Sequence, residues 1–410
     1  MEEISNIISH QNPKPIFIGL QEVTNDLLLY LQPFLESMGY RIITQNDLMM
    51  TAGGVMMRRQ PLSYGVAIAV LISALDSTTS SSSTTTTSQC HVQIIKSGFH
   101  PFQNTIMDRG LLWVHGKILS TSSQQTNAAA NNHDSSISND VLFTTTHLES
   151  FIPKNQYPLP DTQNHNGVKA RKNQVMEIQK FCHQYYQRNY NVKMIMVTGD
   201  LNWDDERKKG NGGIDQPLLD IMNQNQNSKK NDHSSNSDTT TSSSSTTTYG
   251  TTLIANDIMH WKDAWKVCRS TKQEDGYTYD SKLNPMLKGN LRRRFDRCLY
   301  YYPNDDGNHP NSSSNTIRES GRLKNTESMS SLKKQKKNKV EQETNFEAVT
   351  NVKLVGTSAI DGIEWIKEVS EWKYGKPTGK MTKQRRPVCP SDHFGLVVSF
   401  FADSSSSSHN

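Results

Sequence analysis

Acidic and polar side chains flank four of the apolar, strand-like segments of this sequence. They stand in Gln21-Glu22, His147-Leu148-Glu149-Ser150, Gly199-Asp200-Leu201-Asn202 and Ser391-Asp392-His393. Strand ends that lie side by side would bring such side chains into one pocket. Carboxylate and amide oxygens suit a hard divalent cation such as Mg²⁺, which keeps several waters and leaves room for a phosphate. The two histidines would add acid, base and hydrogen-bonding capacity at the same place.

Each of these motifs also has a structural explanation. Gln-Glu after a strand is most often a solvated strand end, and Gly-Asp-x-Asn is more often an Asx turn. His147 alone would be a structural, hydrogen-bonded histidine, and Ser391-Asp392-His393 would be a loop that leads into a strand. The occurrence of all four together favours a catalytic site over four coincidences.

Nine short segments rich in β-branched and aromatic residues are expected to form strands. They are residues 16–20, 65–72, 91–97, 111–119, 141–146, 193–197, 295–301, 352–355 and 394–400. Helical spacing of apolar residues predicts helices at 26–38, at 168–188 and near 254–267. This balance predicts an α+β sandwich, in which two stacked sheets carry helices on their outer faces.

The composition indicates that part of the chain lies outside a packed core. Only 34% of the 410 residues are hydrophobic and the mean hydropathy is −0.69, which is low for one large core. Ser-, Thr- and Asn-rich segments bury too little surface to offset their ordering entropy, so we expect disordered insertions. They lie at about 77–89, 120–139, 223–250 and 304–345, within a single catalytic domain at 1–402 that a disordered tail at 403–410 follows.

Hydropathy, cysteine spacing and charge also limit the cellular setting. No apolar run reaches the roughly 20 residues that cross a hydrocarbon layer, and the N-terminus lacks the pattern of a secretory signal. We therefore expect no membrane partner. Five scattered cysteines without a Cys-x-x-Cys pair predict a reducing compartment. The basic segment 332–339 is either a nuclear import signal or a solvated charge run, so the predicted location is the nucleus, with the cytoplasm as the alternative.

At the four motifs the sequence resembles the metal-dependent endonuclease/exonuclease/phosphatase superfamily. Further segments are similar to its tyrosyl-DNA phosphodiesterase branch, namely Arg171-Lys172-Asn173-Gln174, Asp263-Ala264-Trp265, Gly276-Tyr277-Thr278-Tyr279-Asp280, Arg294-Phe295-Asp296-Arg297 and Ser391-Asp392-His393-Phe394-Gly395-Leu396. The resemblance covers the chain outside the insertions. It implies a four-layer α/β/β/α sandwich of two mostly antiparallel sheets.

The resemblance also implies Mg²⁺-dependent hydrolysis of a phosphodiester, with Mn²⁺ as the alternative cation. Glu22 would hold the metal, and Asp392 would contribute to the metal or water network. Asp200 would orient or deprotonate the attacking water, with Asn202 beside it. Positioning and charge neutralisation are the main demands of phosphoryl transfer, so such a set is sufficient.

The remaining roles concern the phosphate. His393, oriented by Asp296, would stabilise the charge that builds on the phosphate. His147 and Ser150 would contact it.

Several residues near this motif set are candidates for substrate binding. Tyr279 and Phe295 would form a wall beside a DNA end, where an unpaired base can stack; plain packing is the alternative for Tyr279. Trp203, directly after Asn202, is a weaker candidate of the same kind. Arg294 would flank the site, as would Arg297, for which a surface position on an edge strand is the alternative.

The implied partner is a 5′ DNA end that carries tyrosine or a peptide, hydrolysed by a monomeric repair enzyme. Two alternatives stay open: another phosphoester, such as abasic DNA, a poly(A) tail, an inositol phosphate or a phospholipid headgroup, or a non-catalytic relic that binds DNA or protein. Asp204 and Arg293 stand where the branch has Arg and Leu, which leaves the substrate open. The Asn motif of the family's first strand is absent before Gln21, and we expect an incomplete N-terminus rather than a lost strand.

Overall fold

The computed structural model describes most of the segments between the predicted insertions. Described are residues 8, 11, 14–51, 64–72, 90–103, 105, 107–120, 140–150, 167–205, 217–224, 259–269, 275–287, 289–303, 349–359, 364–373, 376–389 and 391–400. Apart from residues 120, 223 and 224, the predicted insertions lie outside this set, as do the basic segment 332–339 and the tail. Among the described helices, none has the length and hydropathy needed to cross a bilayer.

The described part of the chain contains fifteen strands and five helices. The strands are β1 (Phe17–Val23), β2 (Tyr40–Thr44), β3 (Gly65–Leu71), β4 (Cys90–Pro101), β5 (Gly110–Ser120), β6 (Asp140–His147), β7 (Val192–Asp200), β8 (Lys262–Asp263), β9 (Tyr279–Asp280), β10 (Arg292–Arg293), β11 (Asp296–Tyr301), β12 (Val349–Val355), β13 (Glu364–Lys373), β14 (Lys376–Pro387) and β15 (Gly395–Phe400). The helices are α1 (Asn25–Ser37), α2 (Gln45–Thr51), α3 (Val168–Arg188), α4 (Leu218–Met222) and α5 (Ala264–Cys268).

All nine predicted strands and the first two predicted helices are present, but the third predicted helix is wrong over most of its described part. In that segment β8 precedes a helix of only five residues, α5. The helix begins late because the Asp263 side chain accepts hydrogen bonds from the backbone N–H groups of Trp265 and Lys266. Such a cap fixes the first turn at this point.

Two stacked sheets form the centre of the fold. One has the strand order β4-β5-β6-β7-β11-β8, with a parallel pairing only between β6 and β7, and the other has the order β1-β3-β2. Strand β5 shows how the layers form. Leu111 and Trp113 pack in the same core as α3, whereas Leu112 and Val114 pack with Ile68 of β3 between the sheets. This alternation follows from the two-residue period of a strand.

Helices cover the outer face of each sheet. On the six-stranded sheet, α3 buries Val175, Ile178 and Cys182, which recur at helical spacing. On the three-stranded sheet, α1 buries Leu31 and Leu35. The layers therefore run helix, sheet, sheet, helix, and the predicted α+β sandwich is confirmed.

A long hairpin that the sequence patterns did not predict precedes the last strand. Its strands β13 and β14 pair antiparallel, with a register irregularity between Ser370 and Trp372. Among the described strands, each of the two pairs only with the other. The segment lacks the apolar alternation of the core strands, and β14 instead carries a series of Lys and Arg residues.

Candidate active site

Polar residues lie side by side where three neighbouring strands of the six-stranded sheet terminate. They come from the ends of β6 and β7 and from the start of β11. In the strand register, Asp200 is opposite both His147 and Asp296. His147 Nε2 lies 3.3 Å from Asp200 Oδ2. His393 Nδ1 lies 2.8 Å from Asp296 Oδ2 and 3.8 Å from Asp200 Oδ2. We call these four residues, His147, Asp200, Asp296 and His393, the catalytic cluster.

A tight turn after β7 aims the Asp200 carboxylate. Gly199 has φ +123, and a Cβ there would lie 2.0 Å from the Thr146 carbonyl oxygen, so a side chain does not fit. Asn202 also has positive φ, 46. Its N–H donates to Asp200 Oδ1 at 2.8 Å, and its side-chain amide donates to the Leu148 carbonyl at 3.1 Å. The Asx-turn explanation of this motif is thus correct as well, and the turn positions the acid.

The carboxyl group of Asp200 is poised near neutral pH. Burial, together with the negative charge of Asp296, raises its pKa to about 7, against the opposing effects of His393, the Asn202 N–H and Arg109. Burial and a like charge both disfavour the ionised form of a carboxyl group. A carboxylate with such a pKa can accept a proton from water near neutral pH.

His393 has the opposite character. Burial on its own would lower its pKa, but the hydrogen bond to Asp296 and the charges of Asp296, Asp200 and Asp392 outweigh burial and raise the pKa to about 9. The side chain is therefore a cation at neutral pH. One ring N–H is used on Asp296, so the other is available to an anionic ligand.

His147 is neutral. Burial, followed by the positive charges of Arg109 and His393, lowers its pKa to about 2. If Nε2–H donates to Asp200, then Nδ1 carries a lone pair. This Nδ1 has no hydrogen-bond partner among the described residues. Oε1 of Glu22 lies 3.8 Å from it.

The Glu22 carboxylate fits a hard cation. Glu22 has φ 54 at an irregularity in the β1–β3 register, and its side chain is 61% exposed. An exposed carboxylate is the oxygen donor that Mg²⁺ and Mn²⁺ prefer, whereas an imidazole nitrogen suits softer metals, so the His147 Nδ1 lone pair would accept a hydrogen bond from a water of the cation. Ligand atoms of Asp200, Asp296 and His393 also lie within 4.8 Å of one another. However, an imidazolium that is bonded to Asp296 has no lone pair for a metal, so we interpret this trio as a hydrogen-bonded acid–base unit.

A loop network holds His393 in place. The side-chain amide of Asn284 donates to the carbonyl of Ser391 at 2.8 Å and to that of Asp392 at 3.3 Å. Thr278 bonds on both sides, since its hydroxyl accepts from the Asp296 N–H and its carbonyl accepts from the Phe394 N–H. Asp392 itself is exposed. Its predicted contribution to a metal or water network stays a prediction.

Two aromatic rings form a wall next to His393. The ring centroids of Tyr279 and Phe295 lie 5.2 and 6.0 Å from that of His393, and 5.6 Å from each other. Burial and the charge of Asp392 raise the pKa of Tyr279, so the phenol stays protonated. The predicted substrate-binding pair therefore lies at the cluster.

Arg109 is a site residue that the sequence motifs did not reveal. It is buried, its guanidinium lies over the Tyr64 ring at 5.0 Å, and its Nη2 is 3.5 Å from the Ser150 hydroxyl. Its charge lowers the pKa of both His147 and Asp200, which places it at the cluster. A lone Arg before a strand gives no sequence signal of such a role.

Two predicted substrate-binding residues lie in another environment. Trp203 is 1% exposed and packs in the core beneath α3. Arg294 binds both carboxylate oxygens of Asp263, at 3.0 and 2.8 Å. Arg297 is buried on the inner strand β11 and also binds Asp263, so the surface alternative for Arg297 is wrong. Direct substrate contact by Trp203 and Arg294 stays a prediction.

Similarity to known proteins is found at the level of structure. No family model matches the chain, and no curated protein matches it. Solved structures do match, and one is an endonuclease/exonuclease/phosphatase family protein from Bacteroides thetaiotaomicron, with 13% identity and a TM-score of 0.43 over 97% of this chain and 88% of that one.

Structures of TDP2 are also similar to this chain. Truncated Caenorhabditis elegans TDP2 has 17% identity and a TM-score of 0.48, over 97% of this chain and 88% of that one. D. rerio TDP2 complexed with single strand DNA product has 15% identity and a TM-score of 0.47, over 98% and 91%.

Proposed function

We propose that this chain is a metal-dependent phosphodiesterase that hydrolyses a 5′-tyrosyl-DNA end. The observation that carries the proposal is the catalytic cluster, in which a neutral imidazole, a carboxyl group with a pKa near 7 and a cationic imidazole adjoin one another. This combination provides a base for water and a cation for a phosphate at one place.

The residues divide the reaction between them. His393 donates its free ring N–H to a phosphate oxygen, and Asp296 keeps that ring protonated and oriented. Asp200 takes a proton from water as the water oxygen bonds to phosphorus. The bond from phosphorus to the phenolic oxygen breaks, which leaves a 5′-phosphate on the DNA and releases a phenolate that takes a proton from solvent to give tyrosine. A cation held by Glu22, with His147 and Asp392 nearby, would neutralise charge on the phosphate.

Support for the substrate comes from the surface beside His393. Tyr279 and Phe295 offer π-faces to an unpaired base or to the tyrosyl group. Arg109 and Ser150 supply polar contacts across the cluster. Together with the motif resemblance, these features favour a DNA end over a small phosphomonoester. Such a reaction belongs to DNA repair, and we propose a monomeric enzyme in the nucleus.

A substrate panel tests this proposal. The full chain is given a 5′-tyrosyl oligonucleotide, abasic DNA, poly(A), an inositol phosphate and a phospholipid, each with EDTA, Mg²⁺ or Mn²⁺. We expect release of tyrosine with Mg²⁺ or Mn²⁺ and none with EDTA. If the chain hydrolyses a different substrate of the panel and not the 5′-tyrosyl oligonucleotide, that substrate would replace tyrosyl-DNA in the proposal. Lack of turnover on every member, with either metal, would identify a binding relic.

A further inference from the structure

The β13–β14 hairpin carries a marked surplus of positive charge. Residues 364–387 contain seven Lys and Arg against three Glu, a surplus of four within a total of +5. Strand β14 has five of these cations and no acid in twelve residues: Lys376, Lys380, Lys383, Arg385 and Arg386. The basic segment 332–339 carries five further Lys, but it lies outside the described residues, so among the described segments this hairpin is a place where a polyanion would be attracted.

The cations are available to a ligand. Lys376, Lys380, Lys383 and Arg385 are exposed. The Arg385 guanidinium contacts Glu364 Oε2 at 3.3 Å, with the two side chains 75% and 52% exposed. An exposed pair of this kind is weak, so the guanidinium can exchange a carboxylate for a phosphate.

The base of the hairpin is attached to the loop network that holds His393. Arg386 donates to the Pro285 carbonyl at 3.2 Å, and the Cys389 N–H contacts Met286 Sδ at 3.2 Å. The adjoining Asn284 holds the Ser391 carbonyl. Ser391 comes four positions after the end of β14, and His393 follows two positions later. A ligand that lies along β14 thus leads toward His393.

We propose that the β13–β14 hairpin is a nucleic-acid-binding arm that holds the sugar-phosphate backbone next to the catalytic cluster. A twelve-residue strand spans roughly 40 Å, and one strand of B-DNA has a phosphate about every 3.4 Å. The arm therefore contacts several phosphates without reading bases. An anionic membrane is the less favoured partner, because the arm starts at a phosphodiester site. The inference rests on the proposed function in taking the substrate to be a nucleic acid.

Salt-dependent binding tests the arm. A labelled oligothymidylate longer than the arm is titrated with the full chain in EDTA, which prevents turnover. The test variant carries Lys376→Gln, Lys380→Gln, Lys383→Gln and Arg385→Gln. We expect binding to weaken ~10-fold or more near 0.1 M salt. The negative slope of log K against log salt should become shallower by about 0.7 for each phosphate that the protein no longer neutralises, or by ~3 for all four.

A matched control removes the same charge elsewhere. It carries Lys96→Gln, Lys180→Gln, Arg188→Gln and Lys353→Gln, which are exposed positions on β4, α3 and β12. We expect the control to bind within about twofold of the parent, since the removed charges lie off the arm. A set of Lys→Arg changes at 376, 380 and 383 should keep the affinity, and circular dichroism checks the fold of each variant.

The outcomes separate this inference from the proposed function. Equal weakening in the arm and control variants would overturn the arm. The arm would also be overturned if the arm substitutions weakened binding to phosphatidylserine vesicles while the oligonucleotide did not bind. If the parent fails on the whole substrate panel and yet binds the oligonucleotide through the arm, the arm stands and the proposed hydrolysis fails.

Discussion

Two charged regions meet at the start of β11. Asp296 belongs to the catalytic cluster, whereas its neighbour Arg297 belongs to an internal ion-pair network. In that network Arg294 and Arg297 bind Asp263, and Arg297 also binds Asp205 at 3.1 Å. The network borders a cavity of about 350 Å³ that is lined by Trp203, Trp265 and charged side chains.

The two regions differ in how their charges are matched. In the network, burial alone would raise the pKa of Asp205, but the charge of Arg297, the Leu218 N–H and Lys266 lower it. In the cluster, burial and then the negative charge of the neighbouring Asp296 raise the pKa of Asp200 to about 7. The two acids are five residues apart in sequence. Burial acts on both acids, so the difference lies in their neighbours: cations keep the Asp205 carboxylate ionised, whereas a like charge brings the pKa of Asp200 close to neutrality, as the proposed base requires.

The same network accounts for two unusual residues. Asp204 is buried, and its Oδ2 accepts from Arg293 Nε at 2.6 Å. The acid and the cation that depart from the resembled branch therefore neutralise each other. The more exposed member of the pair is the Arg293 guanidinium rather than the Asp204 acid.

The largest expected effect is on stability in the network. Asp263→Asn should lower the free energy of unfolding by about 3–5 kcal/mol, because it leaves the buried Arg294 and Arg297 without their shared anion. Urea denaturation measures the change. Asp204→Asn is the control, since its partner Arg293 is 27% exposed, and should cost about 1 kcal/mol or less. Equal losses would contradict the view that matched burial distinguishes this region.

The next effect is on activity in the cluster. Asp200→Asn should remove at least ~2 kcal/mol of transition-state stabilisation, about thirtyfold in kcat/KM, because the base is lost. The melting temperature should stay level or rise, since a buried carboxyl group beside Asp296 becomes neutral. His393→Ala should lose activity to a similar extent.

An unchanged rate in Asp200→Asn would refute its role as the base. A loss of stability as large as that of Asp263→Asn would show that the cluster also holds the fold together. Asp205→Asn is the activity control. The Asp205 carboxylate belongs to the network, so this substitution should leave kcat/KM per folded molecule nearly unchanged.

The sequence predicted the core strands and the convergence of the cluster. Residues 65–71 of β3 form an unbroken apolar run in which three of seven residues are β-branched, so the pattern identifies the strand without tertiary information. His147 and Asp200 meet because the ends of two adjacent, parallel strands must coincide. Local patterns were sufficient for the strands, whereas the convergence was inferred from four motifs taken together and the pairing of Asp296 with His393 from the resemblance.

Other features depend on contacts that no local pattern reports. Arg294 resembles a site residue until Asp263, 31 positions earlier, is placed beside it. Arg109 is a lone basic residue before a strand. The β13–β14 hairpin has no apolar alternation, and its register comes from pairing of the two strands. In each case the deciding partner is distant in sequence or lies on the opposite strand.

The smallest expected effect is a shift in pH dependence. The pKa of His393 is raised to about 9, so its cation persists below that pH and is lost above it. We expect log kcat/KM to fall at alkaline pH with a midpoint near 9. Asp296→Asn removes the hydrogen bond and charge that raise this pKa, while burial still lowers it, so the midpoint should move down by about one pH unit or more. Asp205→Asn, in the network, should leave the midpoint in place. If Asp296→Asn kept a midpoint near 9, the alkaline limb would belong to another group and the Asp296–His393 pair would not set the charge of the cluster.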